Sequence, residues 1–291
     1  MKDTLVRAVA RDSNLRGLAC TARDLVRHAC RSQGTSPTAS VALGRALCGG
    51  ALLGALLKGD QRVALKLEGN GPIGKILAEA RSDGSVCGYT GNPAADLPPR
   101  EGRFDVAGLL GRAGLLTVTK DLLLKEPYAG TVQLYTSEIA EDLAFYLTES
   151  EQTPSAVGLG VRLGEDLDVV AAGGFLVQAL PPAEEAVIEA VSERIRKLPP
   201  LADLLGPGQT PEDILSFLFG EIPYDVIGRN GLAFCCGCSR ERMGRALAAL
   251  GRDEVLALAS EKKGATIRCE FCGESYRFGL HELKSLAGTL H

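Results

Sequence analysis

Residues 41–57, VALGRALCGGALLGALL, are apolar around the whole helical circumference, while their neighbours carry apolar groups on one face only. Arg45, four glycines and a length at the lower limit for spanning argue against a membrane segment, so the pattern predicts a helix wrapped by a core on several sides. Upstream, residues 4–32 carry apolar groups at helical spacing in part, at Leu18, Leu25, Val26 and Ala29, ahead of a loop at 34–37. Downstream the period changes. Residues 62–68 alternate, 75–81 are mostly apolar and 86–90 alternate again, with Gly, Asn and Asp between them as turn residues, which predicts an antiparallel meander. Further short strands are expected at 115–120, 130–135, 157–163 and 169–177. A helix at 138–148 is expected to gather Ile139, Leu143, Tyr146 and Leu147 on one face, with Ser137 as its N-cap.

Charge divides the chain further. Residues 1–180 hold 19 basic and 20 acidic side chains and read as one large domain. From 181 to 230 the count is nine acidic against four basic, broken by Pro181, Pro182, Pro199, Pro200 and Gly206-Pro207-Gly208. This segment reads as a linker containing helices. Residues 186–198 set Val187, Val191 and Ile195 on one helical face, and 213–219 add a cluster that includes Ile214 and Phe217. Apolar faces in an acidic, proline-broken stretch suggest a region that docks on a neighbour and can release; the plainer alternative is an ordinary connector. Residues 231–291 form a small module with helical runs at 242–250 and 253–263, a hairpin and a last helix at 280–287. A core from about 60 residues is too small to be comfortably stable without a staple.

The staple is visible in the cysteines. Four of the nine read Cys236-Gly-Cys238 and Cys269-Glu-Phe-Cys272, with 30 residues between the pairs. Two close thiol pairs brought together from distant positions suit one tetrahedral zinc ion, and four sulfurs leave no open position for substrate. Each pair could instead close on itself as a disulfide, constraining the unfolded chain very little. The Cys269 half has the spacing of a zinc knuckle, with Gly273 expected to turn backbone N–H groups toward sulfur. The Cys236 half, with one intervening residue, is less typical. Arg240, Arg242 and Arg268 are expected to favour thiolate.

The start of the chain lacks a signal-peptide pattern, which predicts a cytoplasmic protein whose thiols are kept reduced. A net charge of −4 and a pI near 5.6 argue against nucleic-acid binding through bulk electrostatics. Catalytic constellations are scarce: His28, His281 and His291 fall in no metal-binding pair, and Cys20, Cys30, Cys48 and Cys87 stand alone among small or apolar neighbours as buried thiols. Gly69-Asn-Gly-Pro-Ile-Gly-Lys75 mimics a phosphate loop, yet it lacks Ser or Thr after the lysine and Pro72 removes an N–H, so it reads as a hairpin turn and no nucleotide is expected.

The run Phe234-Cys-Cys-Gly-Cys-Ser-Arg-Glu-Arg242, with Cys269-Glu-Phe-Cys-Gly273 and Tyr276, closely resembles the 33 kDa chaperonin family of redox-regulated holdases. Leu67-Glu-Gly-Asn-Gly-Pro72, Tyr128-Ala-Gly-Thr131, Ser150-Glu-Gln-Thr-Pro154 and Ala171-Ala-Gly-Gly174 through Pro181 match that family's landmarks in the same order. The resemblance implies an α+β fold: a large N-terminal β/α/β layered domain around a buried helix (1–180), a metastable helical linker (181–230) and a small C-terminal zinc-binding α+β module (231–291). It implies an ATP-independent chaperone, not an enzyme, that is inactive when reduced and zinc-bound. Carried over, Cys236, Cys238, Cys269 and Cys272 ligate one zinc ion, then form disulfides, 236 with 238 and 269 with 272, as zinc leaves, and the oxidised form dimerises. Clients would be unfolding proteins held on Val187, Val191, Ile195, Ile214 and Phe217. Cys235 departs from this scheme, since it makes five thiols for four positions. Two other classes predict different behaviour: a constitutive zinc-ribbon binding module loses activity on oxidation, and a thiol-disulfide oxidoreductase turns over a dithiol substrate.

Overall fold

The computed structural model describes residues 2–206, 208–262 and 264–288, which fall into two compact units, Met1–Cys235 and Cys236–His291. The first is built on two antiparallel-dominated sheets with a helix between them. One sheet has five strands in the order β10 (Asp225–Gly231), β1 (Thr4–Ala10), β2 (Leu15–Thr21), β9 (Val169–Ala179) and β8 (Ser155–Leu163). The other has six, in the order β11 (Ala233–Phe234), β5 (Ser85–Thr90), β4 (Lys75–Arg81), β3 (Arg62–Gly69), β6 (Gly114–Asp121) and β7 (Tyr128–Gln133). Helix α1 (Arg23–Gln33) leads into α2 (Pro37–Gly54), which packs on strands of both sheets. That enclosure is why α2 is apolar all round: from Thr38 to Gly54 every residue but Arg45 is buried. Pro37 occupies its first turn and the Ser36 hydroxyl accepts the Ala39 N–H. Arg45 reaches the rim to pair with Glu138. Among the described residues no helix is long and apolar enough to cross a membrane.

The partly helical spacing over 4–32 resolves into two strands followed by a helix, which takes up Leu25, Val26 and Ala29, while Leu18 lies in a strand. Strands β1 and β2 pair from Thr4 with Thr21 to Ala10 with Leu15, and only Arg23–Gln33 is helical. The cause is burial on both faces. Leu5, Leu18 and Cys20 face the core around α2, while Val6, Ala8, Ala10, Leu15 and Ala19 face a second apolar cluster on the opposite side. A strand buried on both faces loses the alternation that marks a strand in sequence.

The second cluster is roofed by the segment that follows Pro182. Helices α5 (Glu185–Arg196), α6 (Leu201–Leu204) and α7 (Pro211–Phe219), which come after α3 (Val106–Leu110) and α4 (Ala140–Glu149), lay Val191, Leu201, Leu205, Ile214, Leu215, Leu218 and Phe219 over Val6, Leu15, Phe175 and Val177. The neighbour on which the acidic segment docks is thus the outer face of the five-stranded sheet.

One local expectation is corrected. Ser137 does not cap α4: its hydroxyl donates to the Gly111 carbonyl, and buried Asp142 accepts the N–H groups of Tyr135, Thr136 and Ser137. The Gly69–Lys75 stretch is the hairpin turn expected, joining β3 to β4, whose last pair is Glu68 with Lys75. A Cβ on Gly71 would lie 2.3 Å from the Leu109 carbonyl, and the Gly71 N–H donates to the Leu110 carbonyl, so this glycine seats the end of α3.

The second unit comprises α8 (Arg240–Ala248), α9 (Arg252–Lys262), a hairpin of β12 (Gly264–Arg268) and β13 (Ser275–Gly279), and α10 (Leu280–Gly288). Its core is small: Leu247, Val255, Ala259, Phe278, Leu283 and Ala287.

Candidate metal centre

Cys269 and Cys272 flank the turn of the β12–β13 hairpin. The Cys269 N–H donates to the Glu274 carbonyl, and Gly273, at φ 76°, donates its own N–H back to the Cys269 carbonyl. Gly273 therefore closes the turn, and the amide turned toward the Cys272 sulfur is that of Glu274. Cys236 and Cys238 precede α8, whose N-cap Ser239 accepts the Arg242 N–H, and the Cys238 amide points at the Cys236 sulfur. One residue between the two thiols is enough because the chain there runs into a capped helix.

These elements bring the four sulfurs within 4.8 Å of one another. The Cys236 and Cys269 sulfurs are 3.6 Å apart, and those of Cys238 and Cys272 3.4 Å. A tetrahedron with bonds of about 2.3 Å from metal to sulfur has edges of about 3.8 Å, so the set fits a single thiophilic ion. With four protein donors the site would be closed to substrate. Cys235 stands outside the cluster, exposed, with its N–H donated to the Val86 carbonyl.

Electrostatics single out one thiol. Burial raises the Cys236 and Cys272 thiols above their ordinary range. At Cys238 burial acts in the same direction but is outweighed by hydrogen bonds, first among them one from the Tyr276 hydroxyl, so this thiol is lowered. The Tyr276 oxygen lies 3.2 Å from the Cys238 sulfur. Of the arginines expected to favour thiolate, Arg240 bonds Glu282 and the Arg277 carbonyl and covers the Phe278 ring, Arg242 bonds the Gly237 carbonyl, and Arg268 bonds the Gly273 carbonyl. Tyr276 is the partner that residue-by-residue reading gave no role. Its position on β13, four residues past Cys272, is the signal that could have found it.

The chain matches the Hsp33 protein family model over residues 3–279. It belongs to the Hsp33 family. Among curated Hsp33 relatives, the 33 kDa chaperonin of Geobacter sulfurreducens is 56% identical over 288 residues, covering 99% of this chain and 96% of its own. The 33 kDa chaperonin of Shouchella clausii is 44% identical over 288 residues, covering 98% and 97%. The crystal structure of the 33 kDa chaperonin of Thermotoga maritima, a heat shock protein 33 homologue, superposes with a TM-score of 0.92 at 36% identity over 99% of both chains. The Hsp33 match places the chain among chaperones, with the α+β architecture expected from sequence.

The client residues expected from sequence divide in two. Val191 and Ile214 are buried against the five-stranded sheet, and Val187 and Ile195 are partly buried there. Phe217 is 43% exposed, on the side of α7 turned away from the sheet.

Proposed function

We propose that this chain is a cytoplasmic, ATP-independent holdase whose client surface is covered in the reduced, zinc-bound state and uncovered by oxidation. The observation that carries this reading is the convergence of Cys236, Cys238, Cys269 and Cys272 in a unit whose apolar core is too small to hold it. When bound, zinc supplies a thiolate-coordinated tie between two chain regions more than 30 residues apart, worth on the order of 10 kcal/mol in such modules.

Oxidation joins Cys236 to Cys238 and Cys269 to Cys272. Each pair gives up two protons and two electrons to one peroxide, which leaves as two waters. The four donors are then withdrawn, and two local bonds do not replace a long-range tie, so residues 236–291 lose their fold. The sulfur contacts of 3.6 and 3.4 Å run between the pairs, however, and bridges of that kind would lock the unit. The pairing is therefore the point on which the switch turns.

Chain connectivity supports a route outward. Residues 225–234 lead through β10, the edge of the five-stranded sheet, and β11, the edge of the six-stranded sheet, to the thiols, so loss of order beyond 235 frays β11 first and then β10. Helix α5 is the weak part of the roof. It buries only Val191 fully, worth about 1.5–3 kcal/mol, while ordering backbone costs roughly 1 kcal/mol per residue. Helix α7 buries five residues and carries a Thr210–Asp213 capping box. Release starting at α5 would expose Val187, Val191 and Ile195, then Ile214 and the sheet beneath, as a surface for unfolding proteins; Phe217 extends that surface and pairing of two oxidised copies completes the reading.

Light scattering of a heat-denatured client, read together with zinc release to a chromogenic chelator under peroxide, tests it. Protection should rise with zinc release and be reversed by a thiol reductant, without nucleotide. Equal protection by the reduced, zinc-bound form rules the switch out.

A further inference from the structure

We propose that Cys235, the fifth thiol, has its own redox partner in Cys87, forming a second disulfide site outside the four-sulfur cluster. Strand β11 runs parallel to β5, with Ala233 opposite Ser85 and Phe234 opposite Val86. The Cys235 N–H closes the last of these pairs by donating to the Val86 carbonyl at 2.9 Å. Cys235 and Cys87 are the residues that follow that pair on the two segments.

The faces agree. Val86 belongs to the core around α2 and Phe234 packs against the same core, so the residues that follow each of them, Cys87 and Cys235, point to the opposite face of the sheet. Neighbouring strands lie about 4.8 Å apart, inside the roughly 4.4–6.8 Å between Cα atoms that a disulfide spans. Cys235 is exposed and Cys87 is 7% exposed, which gives the pair an attacking thiol open to solvent and a resolving thiol beneath it.

The chemistry is a two-step oxidation by a peroxide. The Cys235 thiolate attacks one peroxide oxygen, becoming a sulfenic acid and releasing water or an alcohol. The Cys87 sulfur then attacks the Cys235 sulfur, expelling its oxygen as water and closing the S–S bond. Two thiols are oxidised and one peroxide is reduced. The bond would pin β11 to β5 at the residue where the first unit ends. This inference stands on sheet register and does not require the proposed chaperone switch.

The test is peptide mapping of the zinc-loaded full chain after titration with hydrogen peroxide, alkylation of remaining thiols and trypsin digestion. The expected product links peptide 82–100 to peptide 230–240, with fragmentation assigning the bond to Cys87 and Cys235. Cys235→Ser, a change at an exposed position, should abolish the linked peptide while the reduced protein keeps its zinc content. Recovery of Cys87 alkylated, with Cys235 free, over-oxidised or bridged to any other thiol, overturns the proposal whether or not zinc is released.

Discussion

The ring of Phe219 packs against Gly17: a Cβ built on Gly17 would sit 2.7 Å from two of its ring carbons. Gly17 is in the middle of β2 and Phe219 is the last residue of α7, fully buried. The contact is reinforced from α5, where Arg194 donates to the Phe219 carbonyl at 2.7 Å, and from the following loop, where Tyr224 stacks on the ring at 4.8 Å between centroids. One side chain thus joins the roof to the sheet.

Breaking this contact should open the roof without touching the thiols. Phe219→Ala removes a buried aromatic, a change that costs about 3–5 kcal/mol in cores, and Gly17→Val displaces the ring from the other side. Both variants should bind zinc normally yet suppress client aggregation while reduced, and hydrogen exchange over 185–219 should rise at least tenfold. Unchanged exchange with wild-type silence in the reduced state would count against a docked, releasable roof.

Tyr276→Phe keeps the ring but removes the hydroxyl that bonds Cys238. Partners behind metal ligands typically contribute 10–100-fold in affinity. Zinc affinity measured by chelator competition should fall by about that factor, with the fold of the reduced protein retained by circular dichroism.

Metal removal under full reduction separates loss of the tie from disulfide formation. A strong chelator with excess thiol reductant should unfold residues 236–291 and fray β11 and β10, while the core around α2 stays folded. Limited proteolysis should then cleave within α8–α10 and spare the rest of the two large sheets. Mapping after peroxide should show the local pairs 236 with 238 and 269 with 272; bridges of 236 with 269 and 238 with 272 would leave the second unit protease-resistant.

Acid should loosen the start of α7. Asp213 is held below its usual 3.8 first by the Thr210 hydroxyl and then by the Thr210 N–H. A carboxylate whose folded value is depressed contributes stability that is present above 3.8 and lost as pH falls through the folded value. An NMR titration should place the Asp213 midpoint below 3.8, and Asp213→Asn should remove that part of the acid dependence. A midpoint at or above 3.8 would mean the capping box does not form in solution.

The thiol site was legible because its chemistry is carried by residue type and spacing: few arrangements of Cys236, Cys238, Cys269 and Cys272 other than metal binding or local bridging use sulfur at those intervals. The meander from Arg62 to Thr90 and the buried α2 were legible for a related reason, since one-sided burial or complete burial imprints a period on the chain. Strands β1 and β2 were not, because both of their faces are covered. Strand β10 was absorbed into the linker because its partner, β1, lies more than 200 residues away and supplies the hydrogen bonds that make it a strand.

Read alone, the order of residues determined which side chains can hold a metal, where a helix must be enclosed, and where acidic, proline-broken chain interrupts the packed domains. Folding in three dimensions decided what lies against what: that the helices after Pro182 rest on the five-stranded sheet, that the Tyr276 hydroxyl meets the Cys238 sulfur, and that the chain just before the thiols pairs with β5. These are relations between positions distant in the chain, set by hydrogen-bond register and by the shape of surfaces in contact, and neither is written in any local stretch of sequence.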